Sequence, residues 1–242
     1  MDLPDVLDAQ ASAWGLALGT PERDLLLDYA RLLASYERAN VIGTRDLDSI
    51  VLHHVLDSLS CFLFKPLSRA GRMADVGSGG GLPGLPIKLA KPDLQATLVE
   101  STCKKSRFLD YVVEVLGLNG VMVANARVEN LAHSAAYRGT YDVATTRAVA
   151  QLSVIAEYCV PLIRVGGYAV SMKANLPSPE LSEGRRAMEL VGAKMSECIR
   201  VPFIPEVGDR DRQLVIIEKL RETHPRYPRK PGTPTKTPLG AD

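Results

Sequence analysis

The residues point to an α/β protein: a mostly parallel sheet with helices on both faces, behind an N-terminal helical extension. Three observations carry that expectation. From Met73 onward, short apolar runs alternate with helical segments, the rhythm of strand–helix–strand units. The first run ends in Asp75 and falls at once into a loop crowded with Gly77, Gly79, Gly80 and Gly81. The seventy residues before it place their apolar side chains at three- and four-residue spacing instead.

Taken in order, Pro21 to Arg38 reads as a helix, with Leu25, Leu26, Tyr29, Leu32, Leu33 and Tyr36 on its apolar side. Pro21 suits a first helical turn, and Glu22 and Asp24 favour a helix N-terminus. Asp46 or Asp48 is a candidate cap for a further helix carrying Ile50, Leu52, Val55, Leu56, Leu59 and Phe62. Buried strands are expected at Met73–Gly77, Ala96–Val99, Val121–Ala124, Tyr141–Ala144 and Tyr168–Met172. Helices are expected at Leu85–Ala90, Ser106–Leu116, Leu152–Ile163 and Glu180–Ala193. Val201–Ile204 and Leu214–Lys219 read as a late antiparallel pair, and the proline-rich tail reads as extended chain. The organisation expected is a helical arm (1–70), a nucleotide-binding domain (71–221) and a basic tail (222–242).

The chain has 242 residues, 46% of them hydrophobic and 24% charged, which suits a packed globular core. No apolar run reaches the length of a membrane span, and the N-terminus carries acids where a signal peptide carries Lys or Arg. A soluble, cytoplasmic protein is the expectation. The four cysteines are widely spaced with no CxxC pair, so no metal site or disulfide framework is expected. Net charge is +1, unevenly spread. Residues 1–70 hold six basic against ten acidic side chains, whereas 219–242 hold six against two. A basic tail on a neutral body hints at an anionic partner.

Two readings compete for the glycine loop. Gly79, Gly81 and Gly84 satisfy G-x-G-x-x-G with Glu100 ending the next strand, a formal dinucleotide fingerprint. Alternatively Asp75 stands two residues ahead of the alternating glycines Gly77, Gly79 and Gly81. That pattern resembles the first motif of class I methyltransferases, in which an acid at the strand end suits the cationic methionine end of S-adenosylmethionine. Glu100 serves either cofactor, since an acid there can accept ribose hydroxyls. Arg127, Val128 and Glu129 follow the third strand, where an adenine edge would lie. Arg147 ends the fourth strand at the switch point of the sheet, in Thr-Thr-Arg-Ala rather than an amine-holding D/N-P-P-Y. Arginine there suits a phosphate, a guanine O6/N7 edge or a carboxylate. His53 and His54 are adjacent on one helix and read as structural.

Together these segments resemble the bacterial guanine-N7 methyltransferases of small-subunit (16S) ribosomal RNA, the glucose-inhibited division protein B family. The carriers are His54 to Leu59, Asp75 to Pro86, Glu100 with Lys104, Lys105, Arg107 and Phe108, Arg127 to Glu129, Thr146 to Ala148, Met172-Lys173 and Tyr227 to Leu239. The chain departs from the family's Trp-Asn and Asn-Leu-Thr segment, where it has Tyr36 and Asn40-Val41-Ile42. The resemblance implies a Rossmann-like, mostly parallel seven-stranded sheet and methyl transfer from S-adenosylmethionine to N7 of a guanine in the 530 loop. The partner it implies is 16S ribosomal RNA or the small subunit, and a monomer is expected. Cofactor contacts map to Asp75, Gly77, Gly79, Leu82, Glu100, Ser101, Thr102, Val128, Glu129 and Arg147. Arg127, Arg147 and Lys173 would orient guanine, phosphate or the cofactor carboxylate. Lys104, Lys105, Arg229, Lys230 and Lys236 would meet RNA.

Guanine N7 carries a lone pair and no proton, so the transfer needs no general base, and none stands out near the switch point. Alignment of nucleophile and methyl within about 3–3.5 Å would then carry the rate. An NAD-dependent dehydrogenase, a small-molecule methyltransferase and a non-catalytic RNA-binding module are the alternatives. Protection by NAD rather than S-adenosylmethionine, a non-RNA acceptor, or an empty glycine loop would mark each of them.

Overall fold

The computed structural model describes residues 2–205, 207–208 and 211–241. The arm opens with α1 (Leu3–Ala13) and α2 (Thr20–Ser35). Pro21 lies in the first turn of α2, where its missing N–H is no loss, and Leu26, Leu27, Tyr29, Ala30 and Leu33 form the buried stripe. Asp46 caps the next helix, its carboxylate accepting from the Ser49 amide at 2.8 Å. That helix runs as α3 (Leu47–Ile50), a π-helical turn (Val51–Leu56) and α4 (Asp57–Leu59). It then tightens into 3-10 turns at Ser60–Leu63 and Lys65–Arg69. π turns inside helices are frequent at functional sites, and this one carries His53 and His54 with Asp57 just beyond it.

The sheet holds β1 (Arg72–Val76), β2 (Gln95–Val99), β3 (Val121–Ala124), β4 (Tyr141–Arg147), β5 (Ile163–Lys173), β6 (Ala193–Arg200) and β7 (Gln213–Lys219). Their order is β3-β2-β1-β4-β5-β7-β6. The first five are parallel, and β7 runs antiparallel to both neighbours. The connecting helices are α5 (Gly84–Ala90), α6 (Cys103–Val115), α7 (Val128–Leu131), α8 (Leu152–Cys159) and α9 (Ser178–Val191), and α10 (Thr233–Lys236) lies in the tail. Strands buried on both faces read as continuous apolar runs, which is why β1, β2 and β5 stood out in the sequence. On one face Met73, Val143, Val170 and Leu214 share a core with Leu26, Leu33 and Leu56 of the arm. On the other, Ala74, Ala144, Ala169 and Val215 pack with Ile155 of α8 and Met188 of α9.

Three expectations are corrected here. The strand expected at Val201–Ile204 forms instead at Ala193–Arg200, because Gly192 at φ +90° ends α9 in a left-handed cap. That edge strand is half exposed, and a bulge between Met195 and Glu197 breaks the two-residue alternation. The helix expected through Ile163 stops at Cys159, since Ile163 already starts β5. The tail is not merely extended: it contains α10 and buries Tyr227. The arm, for its part, backs the glycine loop directly. The Tyr29 hydroxyl donates to the Gly80 carbonyl at 2.6 Å.

Candidate functional site

The loop after β1 is held from below. Asp75 is fully buried, and its carboxylate accepts from the Thr145 hydroxyl at 2.9 Å and from the Gly84 amide at 3.2 Å. The parallel register that sets Asp75 opposite Thr145 makes the first bond. A side chain at Gly84 would put its Cβ 2.7 Å from Asp75, so only glycine lets α5 start this close to the strand. Burial pushes the Asp75 carboxyl up to about 6, reinforced by the charge of Glu100 and opposed by Thr145, Ser78 and Gly84. Above the loop, the carboxylate of Glu100 accepts from the Gly79 amide at 2.9 Å and from the Thr102 amide at 2.7 Å. Beside it opens a cleft whose polar lining is Ser101, Arg127, Glu129 and Tyr158 and whose apolar walls are Val99, Val128 and Val149.

A second hollow lies across β4. It encloses about 560 Å³ and is lined by His53, Asp57, Arg147, Lys173, Arg212 and Leu214 among others. Asp57 bridges two guanidinium groups, Arg212 at 3.0 Å and Arg147 at 3.5 Å. Arg147 also meets the His54 ring Nδ1 at 2.6 Å and the His53 carbonyl at 3.3 Å, which anchors the strand end to the π turn of the arm. The Lys173 ammonium donates to the Ala150 carbonyl at 2.8 Å and pairs with Glu180 of α9. Consecutive residues separate the two hollows: Arg147 and Ala148 line the large cavity, and Val149 lines the cleft.

The family described as rRNA small subunit methyltransferase G matches residues 22–215. The chain belongs to that family. A relative called ribosomal RNA small subunit methyltransferase G, from Rubrobacter xylanophilus, is 57% identical over 231 residues, which is 95% of this chain and 88% of the relative. Two solved structures share the fold at low identity. A putative O-methyltransferase from Klebsiella pneumoniae has a TM-score of 0.53 at 13% identity, covering 89% of this chain and 96% of its own. The O-methyltransferase of neocarzinostatin biosynthesis, solved with S-adenosylmethionine and 2-hydroxy-5-methyl naphthoic acid, has a TM-score of 0.50 at 15% identity, covering 68% and 56%. Membership in the methyltransferase G family decides between the two fingerprints of the loop. The cofactor is S-adenosylmethionine, not a nicotinamide dinucleotide.

The residues of this family member fit that cofactor. Gly77 has φ +73°, and a Cβ on it would land 2.7 Å from Val149, so the cradle exists only without a side chain. Each Glu100 oxygen spends one lone pair on a loop amide and keeps another for a ribose hydroxyl. Asp75, by contrast, lies beneath the loop with both oxygens engaged, so it shapes the cradle rather than facing a ligand directly. Leu82 is half-buried and packs against the core that the arm shares with the sheet. Lys104, Lys230 and Lys236 are exposed and Lys105 is half-buried. Arg229 is not offered to solvent as the other tail cations are: it is bound to the fully buried Glu157 of α8 at 2.7 Å. Sequence reasoning missed Tyr158 and Arg212, and took Asp57 as a motif residue only. Arg212 sits in a charged connection without local signal, and its partner Asp57 is 155 residues away. Among the described residues no helix is long and apolar enough to cross a membrane.

Proposed function

We propose that this chain methylates N7 of a guanine in the 530 loop of 16S ribosomal RNA, with the guanine received in the cavity across β4. The observation that carries this reading is the shared wall Arg147-Ala148-Val149, which puts an acceptor-sized cavity next to the cofactor cleft. Ala148 has φ +54°, the one left-handed non-glycine backbone among the described residues. Such strained positions cluster where a fold must aim a group at a site.

Bound in the cleft, S-adenosylmethionine supplies a sulfonium methyl that the N7 lone pair takes with no proton to lose. No residue therefore needs to act as a base, and the protein's work is alignment. Arg147 and Arg212, tied through Asp57, present fixed guanidinium donors that suit guanine O6 or a flanking phosphate. Lys173 orients by holding the Ala150 carbonyl, and with it the segment that carries Val149. Arg127 stands at the cleft rim, where it can meet the cofactor carboxylate or a phosphate. Lys104, Lys105, Lys230 and Lys236 supply sequence-independent attraction for the RNA backbone.

The test supplies labelled S-adenosylmethionine and small subunits lacking the modification, then maps the label by N7-specific strand cleavage. Cleavage at one guanine of the 530 loop is the expected result. Label on an exocyclic amine or a pyrimidine contradicts the reading, and label on no RNA favours a small-molecule acceptor.

A further inference from the structure

The proline-rich tail behaves in the structure as part of the cofactor side of the molecule. Arg229 meets the buried Glu157 carboxylate through its own amide at 2.7 Å, through Nε at 2.9 and 3.1 Å, and through a second guanidinium nitrogen at 2.7 Å. Charge-assisted, two-pronged bonds of this kind fix direction as well as distance. Around that anchor the chain is stitched to the body. His133 meets the Pro228 carbonyl at 2.7 Å, and Arg138 donates to the carbonyls of Tyr227 and Thr223 at 2.8 and 2.7 Å. Three residues beyond Arg229, the Gly232 amide donates to Glu129 Oε1 at 2.9 Å. The hydroxyl of Tyr158, the residue next to Glu157, reaches the same oxygen at 3.3 Å. Glu129 and Tyr158 both line the cofactor cleft. Both donors use Oε1, which leaves Oε2 for whatever the cleft holds.

We infer that the tail is a strap that completes the cofactor site, with Arg229 as a positioning residue that acts through Gly232 to aim Glu129 at the adenine amino group. The inference rests on the cofactor occupying this cleft with its adenine beside Glu129. A carboxylate oriented by two donors on one oxygen presents the other in a fixed direction to an N–H donor, and adenine N6 is the donor that nucleotide offers. A site built to bond an amine rejects an analogue lacking it, because the buried acceptor is then left unpaired.

Calorimetry with S-adenosylhomocysteine and S-inosylhomocysteine, which has a carbonyl in place of the amine, tests this without turnover. The full chain is compared with the Glu157→Leu/Arg229→Met double variant, which removes both charges together and so avoids an unpaired buried acid. Thermal unfolding of both proteins checks that the fold is intact. The wild type is expected to prefer the adenosyl compound by about tenfold or more. In the double variant the adenosyl Kd rises about tenfold while the inosyl Kd barely moves, so the preference vanishes. A double variant that keeps the wild-type preference overturns the strap's role, as does an equal loss for both compounds. A wild type without preference overturns the adenine contact of Glu129 itself, and the strap's role with it.

Discussion

The cofactor cleft and the cavity across β4 share a wall yet are built from different materials. The floor of the cleft is built of backbone: a glycine loop whose amides bond to the buried acids Asp75 and Glu100. The cavity is made of side-chain charge, with Asp57 bridging Arg147 and Arg212 between the arm, β4 and the β6–β7 connection. A backbone-built site tolerates most neighbouring substitutions but fails when a glycine gains a side chain. A charge-built site keeps its shape under conservative exchange but depends on each partner being present. The contrast suits the two ligands of the proposed reaction: one invariant cofactor to be cradled, and one base to be chosen and held by directed donors.

The largest expected effect breaks the cleft and spares the cavity. Gly77→Val puts a β-branched residue at φ +73° with its Cβ 2.7 Å from Val149. Strain of about 1–3 kcal/mol and a filled cradle should weaken S-adenosylhomocysteine binding about a hundredfold by calorimetry and remove transfer. Affinity within threefold of wild type would mean the cofactor lies elsewhere. The converse breaks the cavity alone. Asp57→Asn leaves two largely buried guanidinium groups without their carboxylate, a change of the kind that costs about 3–5 kcal/mol. RNA methylation at saturating cofactor should drop about thirtyfold while cofactor affinity stays put. A parallel loss of both would show the two hollows to be one cooperative unit.

The same difference explains what could be read in the sequence. The glycine loop that floors the cleft is encoded by one unbroken stretch, Met73 to Ile87, whose acid and glycines announce a strand, a tight turn and a helix start. The parallel sheet was legible because each of its strands holds a short apolar run, set off by the helices between them. β6 was not, since an edge strand with a bulge and polar residues on both sides carries no clean period. The cavity joins residues from 53 to 214, and no local pattern tells Asp57 that Arg212 will be its partner. Arg229 shows the same limit from the other direction. Its composition suggests a solvated cation for RNA, and only the fold reveals the acid that consumes it, 72 residues earlier.

The smallest expected effect sharpens the contrast through acid titration. Because the Asp75 carboxyl is raised from 3.8 to about 6, the folded chain holds a proton between those pH values that the unfolded chain has already lost. That contribution to stability is complete below about pH 4, declines as pH rises toward 6, and stays lost above it. At about 1.4 kcal/mol per unit it amounts to about 3 kcal/mol at most. Asp75→Asn keeps an oxygen for the Gly84 amide and offers its own N–H to the Thr145 hydroxyl, so it holds the loop without the titration. Urea unfolding from pH 4 to 7 should show the variant gaining on the wild type up to about pH 6 and running parallel to it beyond. A constant difference across the range would place the Asp75 charge in contact with water, and the loop would then owe its shape to the glycines and Glu100 instead.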